Sequence, residues 1–120
     1  MKKTNILICD DEIGVRESLK YILSEEYALA YASNGEEAVD YVKTHDPDLA
    51  ILDIKMPKMN GLEALRQIKQ AKPEIQVLMI TGYESGDVAA QAIRLGASDY
   101  LTKPLDREKV LTQIRALLNG

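Results

Sequence analysis

The chain has 120 residues, of which 46% are hydrophobic and 28% charged, and its formal net charge is -4. This length and composition predict one domain, residues 1–120, with a core of ordinary size. The net negative charge argues against direct binding of nucleic acid. No apolar stretch approaches the roughly 20 residues that span a bilayer. With one cysteine and a beginning unlike a signal peptide, the chain is expected to be cytoplasmic.

Five short apolar runs recur along the chain and predict β-strands. The first, third and fourth are apolar at almost every position, which is typical of interior strands in a parallel sheet covered on both faces. The second is weaker and suits an edge. The runs cover residues 6–9, 28–32, 49–52, 77–80 and the region of 100–101.

Stretches with helical spacing of apolar residues separate these runs. Asn34 with Glu37 forms a capping-box pattern, Gly96 follows the fourth helix at a C′ position, and Asp106 stands at the N-cap of the fifth. Strands that alternate with helices form βαβ units, whose right-handed crossovers give a doubly wound α/β sandwich. We therefore predict a flavodoxin-like (βα)5 fold with a parallel sheet in the order 2-1-3-4-5.

Side chains of complementary chemistry follow the predicted strands. Asp10 and Asp11 come after the first strand, and Asp53 ends the third. Thr81 ends the fourth strand, and Lys103 follows the fifth. Ligands of such sheets bind outside the carboxyl ends of the strands, near the point where the strand order reverses. We therefore expect these residues to meet at one rim.

Each of these residues also has a purely structural explanation. Asp11 or Glu12 could only cap the helix that follows, Thr81 could be a turn residue, and Lys103 a surface lysine. Asp53 is harder to explain in this way, since no helix is expected to begin until about Gly61. Taken singly, the structural explanations are the more common ones, but complementary chemistry at four strand ends is an improbable coincidence.

The combination of side chains indicates phosphoryl chemistry. Carboxylates gathered at one rim repel one another, and burial raises their pKa values unless a cation lies among them. Oxygen ligands without Cys or His favour a hard divalent ion, Mg²⁺ before Zn²⁺. A hydroxyl and an ammonium suit phosphoryl oxygens, and an aspartate can carry the phosphoryl group covalently.

The stretches ILICDDE, LAILDIKMPKMNGLE, VLMITGY and AIRLGASDYLTKPLD, in this order, closely resemble the receiver domains of two-component response regulators. The resemblance covers essentially the whole chain. It implies that Asp53 accepts a phosphoryl group from a histidine on a sensor kinase or a phosphotransfer protein. It also implies a set of Mg²⁺ ligands, namely Asp10, Asp11, Asp53 and the backbone carbonyl of Lys55.

The same resemblance implies a conformational switch. Thr81 would contact the phosphoryl oxygens, Lys103 would pair with the phosphate, and Tyr100 would swing inward as Thr81 moves. Without the resemblance, a half-buried strand aromatic is an equally good explanation of Tyr100. The Lys103–Pro104 peptide bond is expected to be cis. The face formed by the fourth helix, fifth strand and fifth helix would then regulate a partner protein or output domain, with the chain a monomer or a phosphorylation-dependent dimer.

The sequence disfavours three other functions. A phosphatase of the haloacid dehalogenase type needs an Asp-x-Asp pair after the first strand, whereas Asp10 and Asp11 are adjacent and Lys55 stands at that offset from Asp53. A flavodoxin-like FMN carrier is disfavoured because three acids would repel the FMN phosphate. A degenerate receiver that serves only as an interaction module is disfavoured because the full set of site residues is present.

No group in the sequence indicates turnover of an external substrate. We therefore expect no enzyme activity beyond the chain's own phosphorylation and a slow self-dephosphorylation. The slow step is expected because the bulky Tyr83, two residues beyond Thr81, could shield the acyl phosphate from water. The chain is expected to be either a free-standing receiver or a receiver cut from a longer protein.

Overall fold

The computed structural model describes residues 3–82 and 86–119, in which strands and helices alternate along the chain. The strands are β1 Thr4–Cys9, β2 Tyr27–Ala32, β3 Leu49–Asp53, β4 Gln76–Thr81 and β5 Asp99–Thr102. The helices are α1 Ile13–Leu23, α2 Gly35–Thr44, α3 Gly61–Ala71, α4 Gly86–Arg94 and α5 Arg107–Asn119.

The strands form one parallel sheet in the order β2-β1-β3-β4-β5, which confirms the predicted fold and strand order. Side chains alternate between the two faces of each strand. In β1, Ile6 and Ile8 pack into a cluster with residues of α1 and α5, whereas Leu7 and Cys9 pack into a second cluster with residues of α2 and α3. Burial on both faces is the reason why the central positions of β1, β3 and β4 are apolar.

The predicted helix signals are present at three helix ends. The Asn34 side chain accepts a hydrogen bond from the Glu37 N–H, and Asp106 accepts one from the Lys109 N–H. Gly96 has a φ of 108° at the end of α4. The N–H of Ala97 donates to the Ala92 carbonyl and that of Gly96 to the Ile93 carbonyl, which is a Schellman motif.

The parallel register brings the carboxyl ends of the strands to one edge. Cys9 pairs with Leu52, Asp53 with Ile80, and Thr81 with Thr102. The residues that end a strand or follow it therefore share this edge, which we call the carboxyl edge. Across residues 3–82 and 86–119, none of the helices has the length and apolar character needed to cross a membrane.

Candidate functional site

Four carboxylates form a cluster at the carboxyl edge. Each of Asp10, Asp11, Glu12 and Asp53 offers an oxygen atom, and these four atoms lie within 4.8 Å of one another. Asp10 and Asp53 are buried, with 1% and 3% of their surface exposed, whereas Asp11 and Glu12 are exposed. The structure thus brings together the three aspartates expected from the sequence and adds Glu12; we call these four residues the acidic cluster.

Lys103 places its ammonium group against the acidic cluster. Its Nζ lies 3.1 Å from Glu12 Oε1, 3.5 Å from Asp53 Oδ2 and 3.7 Å from Asp10 Oδ2. The backbone N–H of Lys103 donates to the Thr81 carbonyl at 2.7 Å, which holds Lys103 beside the end of β4. The Lys103–Pro104 peptide bond is cis, as the resemblance implied. The ammonium of Lys103 therefore faces several carboxylates.

Burial disfavours the ionised form of the Asp10 and Asp53 carboxylates. Removal from water, and after it the neighbouring Asp10, raise the pKa of Asp53 from 3.8 to about 6, although Lys103 and the Lys55 N–H act in the opposite direction. The pKa of Asp10 is raised as well, chiefly by burial. Burial alone would lower the pKa of Lys103, but the surrounding carboxylates raise it overall. The acidic cluster therefore holds more negative charge than the Lys103 ammonium offsets.

One buried oxygen of the acidic cluster lacks a hydrogen bond among the described residues. The Glu12 N–H donates to Asp10 Oδ1 at 2.9 Å, but Asp10 Oδ2 is buried and has no hydrogen-bond partner among residues 3–82 and 86–119. Buried polar atoms in folded proteins are almost always satisfied. A divalent cation that prefers oxygen ligands would satisfy this atom and offset the excess charge, so the donor set fits Mg²⁺.

The loop after Asp53 approaches the end of β3 closely. The Gly61 N–H donates to the Ile54 carbonyl at 2.8 Å, and a Cβ added to Gly61 would lie 2.1 Å from the Asp53 carbonyl oxygen. Glycine is therefore required at this position for steric reasons. Lys55 lies in the same loop, and its backbone N–H hydrogen-bonds to the Asp53 carboxylate. Its carbonyl as a metal ligand stays a prediction.

The remaining expected site residues lie on β4 and β5. Thr81 is buried at the end of β4, on the carboxyl edge. Tyr100 on β5 is 40% exposed and lines a cavity of about 470 Å³ between β5 and α5. The movement of these two side chains stays a prediction, and Tyr83 lies outside the described residues.

Sequence reasoning missed two contacts of this site. The sequence indicates Glu12 only as a possible helix cap, yet among the described residues its carboxylate is the nearest to the Lys103 ammonium. Arg16 of α1 was not singled out, although its Nη1 donates to the Asp10 carbonyl at 2.5 Å. The adjacency of Glu12 to two site aspartates was the only available signal, and nothing in the sequence pattern indicated Arg16.

A comparison with known protein families identifies the family of this chain. The profile of the response regulator receiver domain matches residues 6–115. The chain belongs to the receiver domain family. Receiver domains accept phosphoryl groups in two-component signalling, and the function of this receiver domain is of that kind.

Curated relatives of this receiver domain are longer proteins. Response regulator MprA of Mycolicibacterium vanbaalenii is 39% identical over 114 residues, which cover 94% of this chain and 49% of that protein. MprA of Mycobacterium bovis has the same identity over the same length and is covered to 50%. The chain thus spans about half the length of the curated relatives it matches.

Solved structures share the fold of this receiver domain closely. A CheY-like receiver domain protein from Methanospirillum hungatei superposes with a TM-score of 0.93 at 32% identity, covering 99% of this chain and 95% of that one. The CheX–CheY–BeF3–Mg²⁺ complex from Borrelia burgdorferi gives a TM-score of 0.93 at 34% identity, with coverages of 97% and 90%. NtrX from Brucella abortus gives 0.91 at 32% identity, and this chain covers only 27% of it.

Proposed function

We propose that this receiver domain accepts a phosphoryl group on Asp53 in a Mg²⁺-dependent step and that the α4-β5-α5 face relays the change. The observation that carries the proposal is the setting of Asp53. Its carboxylate is buried within the acidic cluster, 3.5 Å from the ammonium of Lys103, where an incoming phosphoryl group would meet a cation. Phosphoryl transfer asks a protein mainly for such positioning and charge stabilisation.

The phosphoryl donor would be a phosphohistidine of a sensor kinase or a phosphotransfer protein. An Asp53 carboxylate oxygen forms a bond to phosphorus as the N–P bond breaks, and the electron pair of that bond remains on the imidazole nitrogen. Lys103 offsets charge on the phosphoryl oxygens, and Thr81 donates a hydrogen bond to them. Because the pKa of Asp53 is about 6, the carboxylate is mainly ionised at neutral pH and able to attack.

Mg²⁺ would be held by Asp10, Asp11, Asp53 and the backbone carbonyl of Lys55. When bound, the ion neutralises charge shared by the carboxylates and the phosphoryl group. The support for this ligand set is the buried Asp10 oxygen that has no hydrogen-bond partner among the described residues, together with the raised pKa values of Asp10 and Asp53.

The output would pass through α4, β5 and α5. The Lys103 N–H donates a hydrogen bond to the Thr81 carbonyl. Movement of either side chain toward the phosphoryl group would therefore act on the backbone where the ends of β4 and β5 meet. Tyr100 and Ile93 expose 40% and 48% of their surfaces on this face. Inward movement of Tyr100 would change the shape of the face and the affinity of an output domain or partner protein.

Five further features belong to the same proposal. Residues 1–120 form one receiver domain located in the cytoplasm, without direct contact to nucleic acid or membrane. It is a monomer or a phosphorylation-dependent dimer. It catalyses only its own phosphorylation and a slow loss of the phosphoryl group. Timing phosphate loss in Tyr83→Ala tests the last point, since a lifetime equal to or longer than that of the wild type would contradict shielding by Tyr83.

The central experiment is incubation with a small phosphodonor such as acetyl phosphate, with and without Mg²⁺, followed by intact mass and peptide mapping. We expect one added phosphoryl group on Asp53, only with Mg²⁺, and none in Asp53→Asn. Asp40→Asn is the matched control, because Asp40 is an exposed aspartate of α2 outside the acidic cluster. Phosphate on another residue, or labelling that does not depend on Mg²⁺, would overturn the proposal.

A further inference from the structure

The Lys103 ammonium lies closer to an exposed carboxylate than to the buried ones. Its distance to Glu12 is 3.1 Å, against 3.5 Å to Asp53 and 3.7 Å to Asp10. Glu12 is 63% exposed, while the side chains of Asp10 and Asp53 are 1% and 4% exposed. The nearest of these three carboxylates to the ammonium is therefore the one that water screens most.

The Glu12 side chain is not used by its own helix. Glu12 is the N-cap residue of α1, with an extended backbone, yet its side chain accepts no capping hydrogen bond from the described residues of that helix. Its backbone N–H instead holds Asp10 Oδ1, and its carboxylate holds Lys103 across 91 positions of sequence. One residue thus connects a buried carboxylate that follows β1 to the lysine that follows β5.

We propose that Glu12 is a positioning residue that keeps the Lys103 ammonium at the rim of the site until a phosphoryl group arrives. The inference rests on the function proposed above. If Asp10 and Asp53 held a divalent cation, their attraction for the ammonium would be weaker, because the cation would offset their charge and repel Lys103. Glu12 is then the carboxylate that retains the ammonium within reach of Asp53.

The exposure of Glu12 also explains how Lys103 can leave it. An exposed ion pair is weak, because water screens the attraction and two flexible side chains lose freedom. The phosphoryl group on Asp53 would bring more charge into a buried setting, where the attraction for Lys103 is stronger. The ion pair with Glu12 therefore orders the Lys103 side chain but is weak enough for the ammonium to move to the phosphoryl group.

The kinetic test measures the rate constant of Asp53 phosphorylation at saturating acetyl phosphate and Mg²⁺ for each variant. We expect Glu12→Gln to be slower by about two- to fivefold, which is the range that an exposed charge pair can supply. Glu17→Gln, the same change at another exposed site of α1, should match the wild type. In a Lys103→Ala background, Glu12→Gln should have no further effect, because its action passes through Lys103.

A second measurement follows the position of Lys103 directly and needs no phosphodonor. NMR relaxation of the Lys103 side chain should show lower order in Glu12→Gln than in the wild type and in Glu17→Gln, both without metal and with Mg²⁺. A general loss of α1 stability would not single out this lysine. Unchanged order of Lys103, or an equal loss of rate in the Lys103→Ala background, would overturn the inference.

The two proposals fail in different ways. If the wild type is not phosphorylated on Asp53, the proposed function is wrong. If the wild type is phosphorylated on Asp53 and Glu12→Gln keeps its rate constant, the proposed function stands and the role of Glu12 is wrong.

Discussion

At the residue scale, the buried Asp53 carboxylate opposes folding when no metal is present. Burial raises its pKa from 3.8 to about 6, so the folded protein binds this proton more tightly than the unfolded chain does. Stability contributed by Asp53 is therefore highest below about pH 4 and falls as the pH rises through about 6. Asp53→Asn removes the titrating group, and in metal-free buffer at neutral pH we expect it to be more stable than the wild type by about 1–3 kcal/mol.

Urea unfolding of both proteins in EDTA between about pH 4 and pH 8 measures this effect. The difference should shrink toward zero at the acidic end, where Asp53 of the wild type is protonated. Asp40→Asn, at an exposed position, should show no such trend. A difference that does not change with pH would mean that the charge of Asp53 is not its cause.

Gly61 gives a second prediction at this scale, because it lies directly against the backbone of Asp53, the proposed phosphoryl acceptor. An added Cβ would lie 2.1 Å from the Asp53 carbonyl oxygen and 2.8 Å from the Ile54 Cα. Neither atom belongs to a flexible side chain, so the loop itself would have to move. Gly61→Ala should therefore lower the free energy of unfolding by at least about 2 kcal/mol and slow the phosphorylation of Asp53.

Gly14 is the matched control for this substitution. It lies in the first turn of α1, and an added Cβ would meet no described atom within 4 Å. Gly14→Ala should raise the free energy of unfolding by about 0.4–1 kcal/mol, because alanine restricts the unfolded chain. If urea unfolding gave the same sign for both substitutions, the steric argument for Gly61 would fail.

At the scale of the elements, the asparagine cap at Asn34 defines where α2 begins. The Asn34 side chain accepts a hydrogen bond of 2.9 Å from the Glu37 N–H, one of the backbone donors that a helix start leaves unpaired. Asn34→Ala should cost about 1 kcal/mol of unfolding free energy, while Asn34→Asp should stay close to the wild type, since aspartate caps equally well. An equal loss in both variants, measured by urea unfolding, would show that the capping bond is not responsible.

The interiors of the elements were predictable from the sequence, but several of their ends were not. The predicted first strand covers residues 6–9, whereas β1 begins at Thr4, which pairs with Tyr27. The fifth strand extends to Asp99, which pairs with Leu78. Backbone pairing includes polar residues of this kind at strand ends, where an apolar pattern gives no signal. Local signals succeeded where the interaction itself is local, as in the cap at Asn34.

Helix caps show the same limit at finer detail. In a capping box the glutamate would bond to the N–H of the cap residue, but Glu37 accepts from the backbone and hydroxyl of Ser33, one residue earlier.

At the carboxyl edge, too, the sequence predicted which residues lie together but not which side chains are in contact. Strand order and strand ends predicted that Asp53 and Lys103 share an edge, but the choice of Glu12 as nearest partner depends on side-chain positions 91 residues apart.

At the scale of the whole molecule, the carboxyl edge concentrates charge that the rest of the fold must tolerate. Two buried carboxylates with raised pKa values lie there, and Asp10 has one oxygen without a hydrogen-bond partner among the described residues. A cation that binds only the folded edge would stabilise the entire domain, because unfolding disperses its ligands.

Magnesium is therefore expected to raise the stability of the whole domain. At a Mg²⁺ concentration about ten times Kd, mass action adds about 1.4 kcal/mol to the free energy of unfolding. Thermal unfolding should show the gain in the wild type and in Asp40→Asn, and Asp10→Asn should lose it because this variant lacks one of the proposed buried ligands. Each sample without Mg²⁺ contains a sodium salt at the same ionic strength, so that general screening is matched. An equal rise in the wild type and in Asp10→Asn would assign the effect to the ionic medium and remove the main support for a metal at this edge.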